Sequence, residues 1–252
     1  MRNVSRRKLI TAGLAATAGA SGFAVAAGLA RRYGLIPPDH GGLYGVGETL
    51  TYAAQRILTR HSMAREFSRS QISKTPFANG DPPKDDVFQR LRAGGFADWR
   101  LAVDGMVTRP ASFSLADLKS YPSRSQITHL ACEEGWSYIA EWTGVPLSRV
   151  LDLVGALPQA KYVVYYSIQS DWWDSVDMND ALHPQTLLTY GMNGGELPVG
   201  NGGPLRMRVP RQLGYKNVKY VTRLTLTDDL KRFGKGLGSA SPEGGYAWYA
   251  GI

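Results

Sequence analysis

The chain has 252 residues, 43% of them hydrophobic, with 29 Lys and Arg against 21 Asp and Glu for a formal net charge of +8. That length leaves room for a full hydrophobic core, and no internal repeat argues for a solenoid. Six of the basic residues fall in residues 1–32, which hold no acid; without them the balance is 23 against 21, which excludes a dominating nucleic-acid footprint.

The chain opens with Ser5-Arg6-Arg7-Lys8-Leu9-Ile10, the pattern of a twin-arginine (Tat) export signal. An uncharged Ala- and Gly-rich run follows from Leu9 to Ala30, and Ala24-Val25-Ala26 offers a small-residue cleavage site. The alternative is an N-terminal membrane anchor, for which the run is long enough but only mildly apolar. Residues 31–47 are rich in Pro and Gly and read as an arm. Apolar positions at Leu50, Ala54, Ile57, Leu58, Met63 and Phe67 predict an amphipathic helix over 48–66. The stretch around Asn79-Gly80 and Pro82-Pro83 reads as a loop.

From Trp99 the character is β. Residues 99–107 alternate and then turn. Residues 114–122 predict a short helix capped by Ser114, with Asp117 completing a box. Residues 125–132 read as a strand that delivers Cys132 to its end, and residues 145–155 as a helix between Pro146 and Gly155. Residues 161–168 are a Val- and Tyr-rich strand. Residues 182–209 read as a short helix, an Asn-Gly-Gly turn and a strand from Leu205 to Val209. In residues 218–228 alternation places Val218, Tyr220, Thr222, Leu224 and Leu226 on one face of a strand, with Lys219 and Arg223 on the other. Strands and helices do not alternate regularly, so the expectation is a mixed α+β domain, mainly β at its core.

Cys132 is the only cysteine. In an exported chain a cysteine normally has a disulfide partner, and this one has none within the chain. Three readings stay open: a buried small hydrophobe, an intermolecular disulfide, or a thiolate ligand to a metal. A zinc site would lack protein ligands, because His40, His61, His129 and His183 are scattered. A cofactor that brings most of its own ligands would need one thiolate, plus cations and hydrogen bonds for its organic part. Residues 201–219 offer Asn201, Arg206, Arg208, Arg211, Lys216, Asn217 and Lys219 among glycines, and Arg grips phosphate with two hydrogen bonds.

The runs HLACEEGWSYIAEWTGVPLSRVL, ALHPQTLLTYGMNG and NGGPLRMRVPRQLGYKNVKYVTRLTLTDD, within residues 96–228, resemble the sulfite-oxidase and nitrate-reductase family of molybdopterin enzymes. The resemblance is closer to the bacterial branch containing catalytic subunits of periplasmic protein-methionine-sulfoxide reductases. It implies the sulfite-oxidase fold and a molybdenum held by one molybdopterin and by Cys132, which would be both metal ligand and catalytic centre. It also implies that Asn201 and Arg206 hold the pterin phosphate with the Asn217-Val218-Lys219 segment, that Ser167 stands where the family has Thr, and that Asn79 corresponds to an N-terminal Asn.

Sulfite oxidases carry an Arg soon after the cysteine; here Glu133-Glu134-Gly135-Trp136-Ser137 follows, which argues against an anionic substrate. Trp136 and Trp142 are candidate pocket walls, and Asp171-Trp172-Trp173-Asp174 a candidate lip. The resulting expectation is a monomeric, periplasmic oxidoreductase, exported through the Tat translocase or anchored by residues 1–30. Residues 31–95 form an arm and a helix on the core, 96–228 the molybdopterin domain, and 229–252 a tail whose aromatics pack back. It would reduce an S-oxide or N-oxide, methionine sulfoxide in proteins included. Electrons would come from a haem partner, either a membrane b-type subunit or a cytochrome c, because the chain has no Cys-x-x-Cys-His. The competing readings are oxidation of sulfite or another small molecule, and a binding protein that has lost the metal.

Overall fold

Alternating burial along its strands builds two sheets around one shared core in the computed structural model, which describes residues 28, 30, 34–169 and 172–252. The twin-arginine motif, most of the apolar run and Asp171 lie outside the described residues. Among those described, no helix is long and apolar enough to cross a membrane.

The first sheet runs β2 (Ala111–Ser114), β1 (Arg100–Gly105), β10 (Val221–Thr227), β5 (Tyr162–Ser167) and β6 (Trp173–Asp177). Its neighbours are antiparallel except β1 and β10, which pair in parallel with Ala102 opposite Arg223. The second sheet runs β3 (Arg124–Ala131), β4 (Ser137–Pro146) and β7 (Leu187–Met192), with β8 (Gly195–Glu196) and β9 (Arg206–Arg208) both paired to β7. Leu101, Val103, Tyr165 and Leu224 from one sheet meet Val145, Leu188 and Met207 from the other. Helix α4 (Leu147–Val154) drives Leu147, Val150, Leu151 and Val154 into the same core and stops at Gly155, whose φ of 65° suits glycine. Helix α3 (Leu115–Ser120) carries the expected capping box between Ser114 and Asp117. The result is the expected mixed α+β architecture with a mainly β core.

Three expectations need correction. Residues 187–192 form β7, not a helix; β4 pairs with them on one side and β8 and β9 on the other, and the strand ends in an Asn193-Gly194 turn with φ of 51° and 81°. The last strand begins at Val221 rather than Val218. Tyr220 has φ of 56°, and a bulge between Val221 and Arg223 shifts the alternation, so Val221, Leu224, Leu226 and Thr227 are the buried residues. The N-terminal helix α1 spans Gly45–Leu58 rather than 48–66, and it buries Glu48, Tyr52 and Arg56 instead of its apolar stripe.

Helix α2 (Asp86–Ala93), capped by the Asp85 side chain on the Phe88 N–H at 2.9 Å, continues the loop after Pro83. Tyr52 of α1 joins Trp248 and Tyr249 of the tail over Val164 of β5, so both ends of the described chain pack on the first sheet. Two short helices complete the set, α5 (Met178–Ala181) and α6 (Ala240–Glu243).

Candidate active site

The hairpin joining β3 to β4 places Cys132. Its N–H donates to the Trp136 carbonyl at 2.9 Å, and Gly135, with φ of 90°, turns the chain between them. Opposite stands the 3₁₀ turn Gly214–Lys216. A Cβ built on Gly214 would sit 3.1 Å from Cys132 Sγ, so only a glycine lets this turn close against the thiol without displacing it. Hairpin tip and turn bound a cavity of about 350 Å3.

Its walls are of three kinds. Phe77, Trp136, Trp172, Tyr215 and Tyr246 are aromatic. Glu133 and Glu134 are acidic: the Cys132 thiol donates to Glu133 Oε2 at 3.1 Å, while Glu134 Oε2 accepts from Trp136 Nε1 at 2.7 Å and Asn79 Nδ2 at 2.9 Å. Burial, reinforced by Glu133, pushes the Cys132 thiol up to about 12. Without a positive partner this cysteine is a thiol at neutral pH.

The third wall is cationic. Arg206 is buried, donating from Nε to the Asn217 carbonyl at 3.0 Å and from Nη1 to the Asn201 carbonyl at 2.8 Å. Lys219 Nζ donates to the carbonyls of Asn79 (2.6 Å) and Gly200 (2.9 Å). Behind them Arg208 is fully buried, with Asn217 Oδ1 at 2.7 Å, and both guanidinium groups lie over the Trp142 ring. Among the described residues none of the three cations has a carboxylate within ion-pairing distance. Burial and the neighbouring Arg206 pull Lys219 down to about 8, and burial lowers Arg206. Buried positive charge that meets only carbonyls leaves an electrostatic demand for an anion. A phosphate-bearing cofactor fits that demand, with Arg206 and Lys219 as its grips.

The structure brings Cys132, Asn79, Arg206, Asn217, Val218 and Lys219 together around the cavity. Asn79 ties Glu134 to Lys219, through its amide and its carbonyl respectively. The Asn217 side chain is engaged by Arg208, the Val209 N–H and the Leu213 carbonyl, and its backbone by the Gly214 carbonyl and Arg206 Nε, so it braces the cavity wall. Val218 and Lys219 are available because the strand starts after them, at Val221. Asn201 and Ser167 do not line the cavity. Asn201 sits one layer back, accepting Arg206 on its carbonyl; Ser167 ends β5 and caps the Gln169 N–H at 3.1 Å. Trp136 walls the cavity, whereas Trp142 is core beneath the guanidiniums. Lys216 points away and pairs with Asp174. His129 faces Phe67 and His183 accepts the Gln185 N–H, so neither approaches Cys132. Phe77, Tyr215 and Tyr246 have no sequence signal beyond their aromaticity, since distant segments bring them in. Among the described residues no group of three or more His, Cys, Asp and Glu could hold a metal ion. Cys132 is thus a lone donor, suited to a metal that arrives with its own ligands.

Residues 89–232 match the model of the oxidoreductase molybdopterin-binding domain family. A protein of Azospira oryzae that carries the name of a protein-methionine-sulfoxide reductase subunit, YedZ1, is 37% identical over 191 residues, covering 76% of this chain and 69% of its own. The protein-methionine-sulfoxide reductase catalytic subunit MsrP of Xanthomonas axonopodis pv. citri is 33% identical over 66% of this chain, which spans 57% of that relative. Among solved structures, the sulfane dehydrogenase SoxCD of Paracoccus pantotrophus superposes with a TM-score of 0.51 at 26% identity, over 53% of this chain and 39% of that one.

Proposed function

The chain belongs to the molybdopterin-binding oxidoreductase family, whose cofactor is Mo-molybdopterin, and on that premise we propose that it is an exported reductase of S-oxides or N-oxides, methionine sulfoxide in proteins foremost. The observation that carries this reading is the composition of the cavity around Cys132: aromatic walls, two carboxylates beside the sulfur, and its cations turned to one side.

When bound, the molybdenum cofactor supplies a two-electron redox centre for oxygen-atom transfer. The chain does the rest. Cys132 gives the metal a thiolate, and its proton must leave on loading, because a coordinating thiol is deprotonated. Arg206 and Lys219 would take the pterin phosphate, with the Val218 backbone beside them and Asn217 bracing Arg206 through its carbonyl. Glu133 and Glu134 repel an anion such as sulfite and leave a neutral sulfoxide unopposed. Phe77, Trp136 and Trp172 offer apolar rims to a thioether-like chain, as aromatic rings do for sulfur.

Export through the Tat translocase to the periplasm is supported by Arg6-Arg7 and the uncharged run behind them, with the same run as the alternative anchor. The single cysteine leaves no place for covalent haem, so we assign the electron supply to a separate haem protein, either a membrane b-type subunit or a cytochrome c. The enzyme itself is proposed to be a monomer.

The test is molybdenum per chain by elemental mass spectrometry, followed by oxidation of reduced viologen with methionine sulfoxide as acceptor. We expect close to one metal per chain and sulfoxide-dependent turnover, with Cys132→Ser losing at least about a hundredfold in rate. A metal-free wild type from a host that loads a control enzyme would overturn the assignment. A loaded enzyme that oxidises sulfite and ignores sulfoxides would transfer it to the competing chemistry.

A further inference from the structure

Helix α1 is turned inside out. The face it buries carries Glu48, Tyr52 and Arg56. Tyr52 donates its hydroxyl to Asp177 Oδ2 at 2.7 Å, Arg56 pairs with Asp177 and Asp180 at 2.8 and 2.6 Å, and Glu48 accepts the Tyr249 N–H at 2.9 Å. At about 100° per residue, Val46, Leu50 and Ile57 fall on the opposite side of the cylinder within an arc of roughly 40°. They are 75, 66 and 66% exposed, and Leu43 and Leu58 at the two ends are 82 and 78% exposed. Leu58, Met63 and Ile252 continue the stripe into a groove beside the end of the helix. A surface helix of a water-soluble domain carries the reverse pattern.

The charges around this stripe are one-sided. Residues 43–65 contain a single acid, Glu48, and it is buried, whereas Arg60 and Arg65 are exposed beside the end of the stripe; the next acid, Glu66, is exposed and turned to Arg124. The sequence just upstream adds Arg31 and Arg32, and before them the 22 uncharged residues from Leu9 to Ala30. Twelve residues separate that run from Leu43, a tether of at most about 40 Å.

We propose that α1 is an interfacial helix, lying with Val46, Leu50 and Ile57 in the acyl boundary of an anionic bilayer and Arg60 and Arg65 among its headgroups. An apolar stripe bordered by Arg60 and Arg65, with the neighbouring Glu66 neutralised by its pairing with Arg124 at 3.5 Å, is what such a surface binds. A second copy would instead bring its own Arg60 and Arg65 against the same residues. The helix holds the domain to the membrane whether or not the upstream run stays attached, and this placement is independent of the chemistry at Cys132.

The experiment uses the full chain with phosphatidylcholine–phosphatidylglycerol vesicles carrying nitroxide lipids, and an environment-sensitive fluorescent amino acid at Ala54 of α1 or at Val87 of α2. Quenching at 54 is expected to exceed that at 87 by about threefold or more. Replacing Val46, Leu50 and Ile57 together by Ser should return the probe at 54 to the level of the probe at 87, with the melting temperature nearly unchanged because none of the three is buried. Equal quenching at both sites overturns the proposal, as does quenching at 54 that survives the triple substitution. A photo-crosslinking residue at Leu50 that joins two chains rather than lipid would give the stripe to a second copy and overturn it as well.

Discussion

Lys219 has a charge that the folded chain only half accommodates. Its amine is pulled from the ordinary 10.5 to about 8, chiefly by burial and then by Arg206. In the folded apoprotein it releases its proton earlier than in the unfolded chain, so the unfolded state binds more protons between those two values. Stability of the apoprotein should therefore rise as pH climbs from 8 towards 10.5. Cys132 and the buried tyrosines act in the opposite direction near the top of that range, because their folded values are raised. The clean measurement is the difference between wild type and Lys219→Met in urea midpoint at pH 8 and 9.5. The wild type should gain on the variant with pH, and a bound phosphate-bearing cofactor should abolish the gain. Gly214→Ala makes a second, sharper point. An added methyl would lie 3.1–3.2 Å from Sγ, Cα and Cβ of Cys132, so the turn or the thiol must give by a few tenths of an ångström. The substitution should cost about 1–3 kcal/mol in unfolding and shift the thiolate-to-metal absorption of the loaded protein. At this scale the sequence was informative about chemistry and silent about direction. The lone cysteine and the Asn-Gly-x-Pro-Leu-Arg run were visible, and the family resemblance singled out Lys219, but residue type alone does not say that Lys219 turns to the cavity and Lys216 to Asp174.

Elements were legible where local pattern and tertiary demand agree. The Ser114–Asp117 box and the Pro146 and Gly155 boundaries sit where their residue types put them, because caps depend on a few neighbouring atoms. They were illegible where a distant partner decides. Residues 187–192 form a strand because β4 lies on one side and β9 on the other. Alternation ran straight through Val218–Tyr220, although Tyr220 breaks the strand to close the cavity wall. For α1 the hydrophobic period was right and the face was reversed, because Asp177 and Asp180 wait on the core for Arg56. Glu48 gives that docking a pH dependence. Burial, with help from Asp39, raises its carboxyl from 4.5 to about 8. Its favourable contribution is fully present below pH 4.5 and is lost as pH rises through 8. Glu48→Gln should flatten that decline, so the urea midpoints of wild type and variant should diverge between pH 5 and 8, with the wild type falling faster.

Across the whole molecule, the two ends of the described chain clamp the same face of the first sheet. Trp248 is buried against Tyr52 and Tyr162, donates its indole N–H to Ser175 Oγ at 2.8 Å, and has its backbone N–H taken by Asp39 at 2.7 Å. Trp248→Ala should cost about 3–5 kcal/mol. Hydrogen exchange should then accelerate in α1 as well as in the tail, because Tyr52 loses its cover; unchanged exchange in α1 would show that the two ends are held independently.

The parallel pairing of β1 with β10 sets a timetable for synthesis. β10 lies in the middle of its sheet, between β1 and β5, yet the ribosome delivers it after every other strand of the described residues. Until residue 227 has emerged, β1 and β5 have no common neighbour, and Gly214, which backs the thiol, has only just preceded it. The cavity does not exist in a nascent chain. Loading must wait until residue 227 has emerged, so any translocation that carries the cofactor across a membrane has to move a folded body and cannot thread the chain through as it is made.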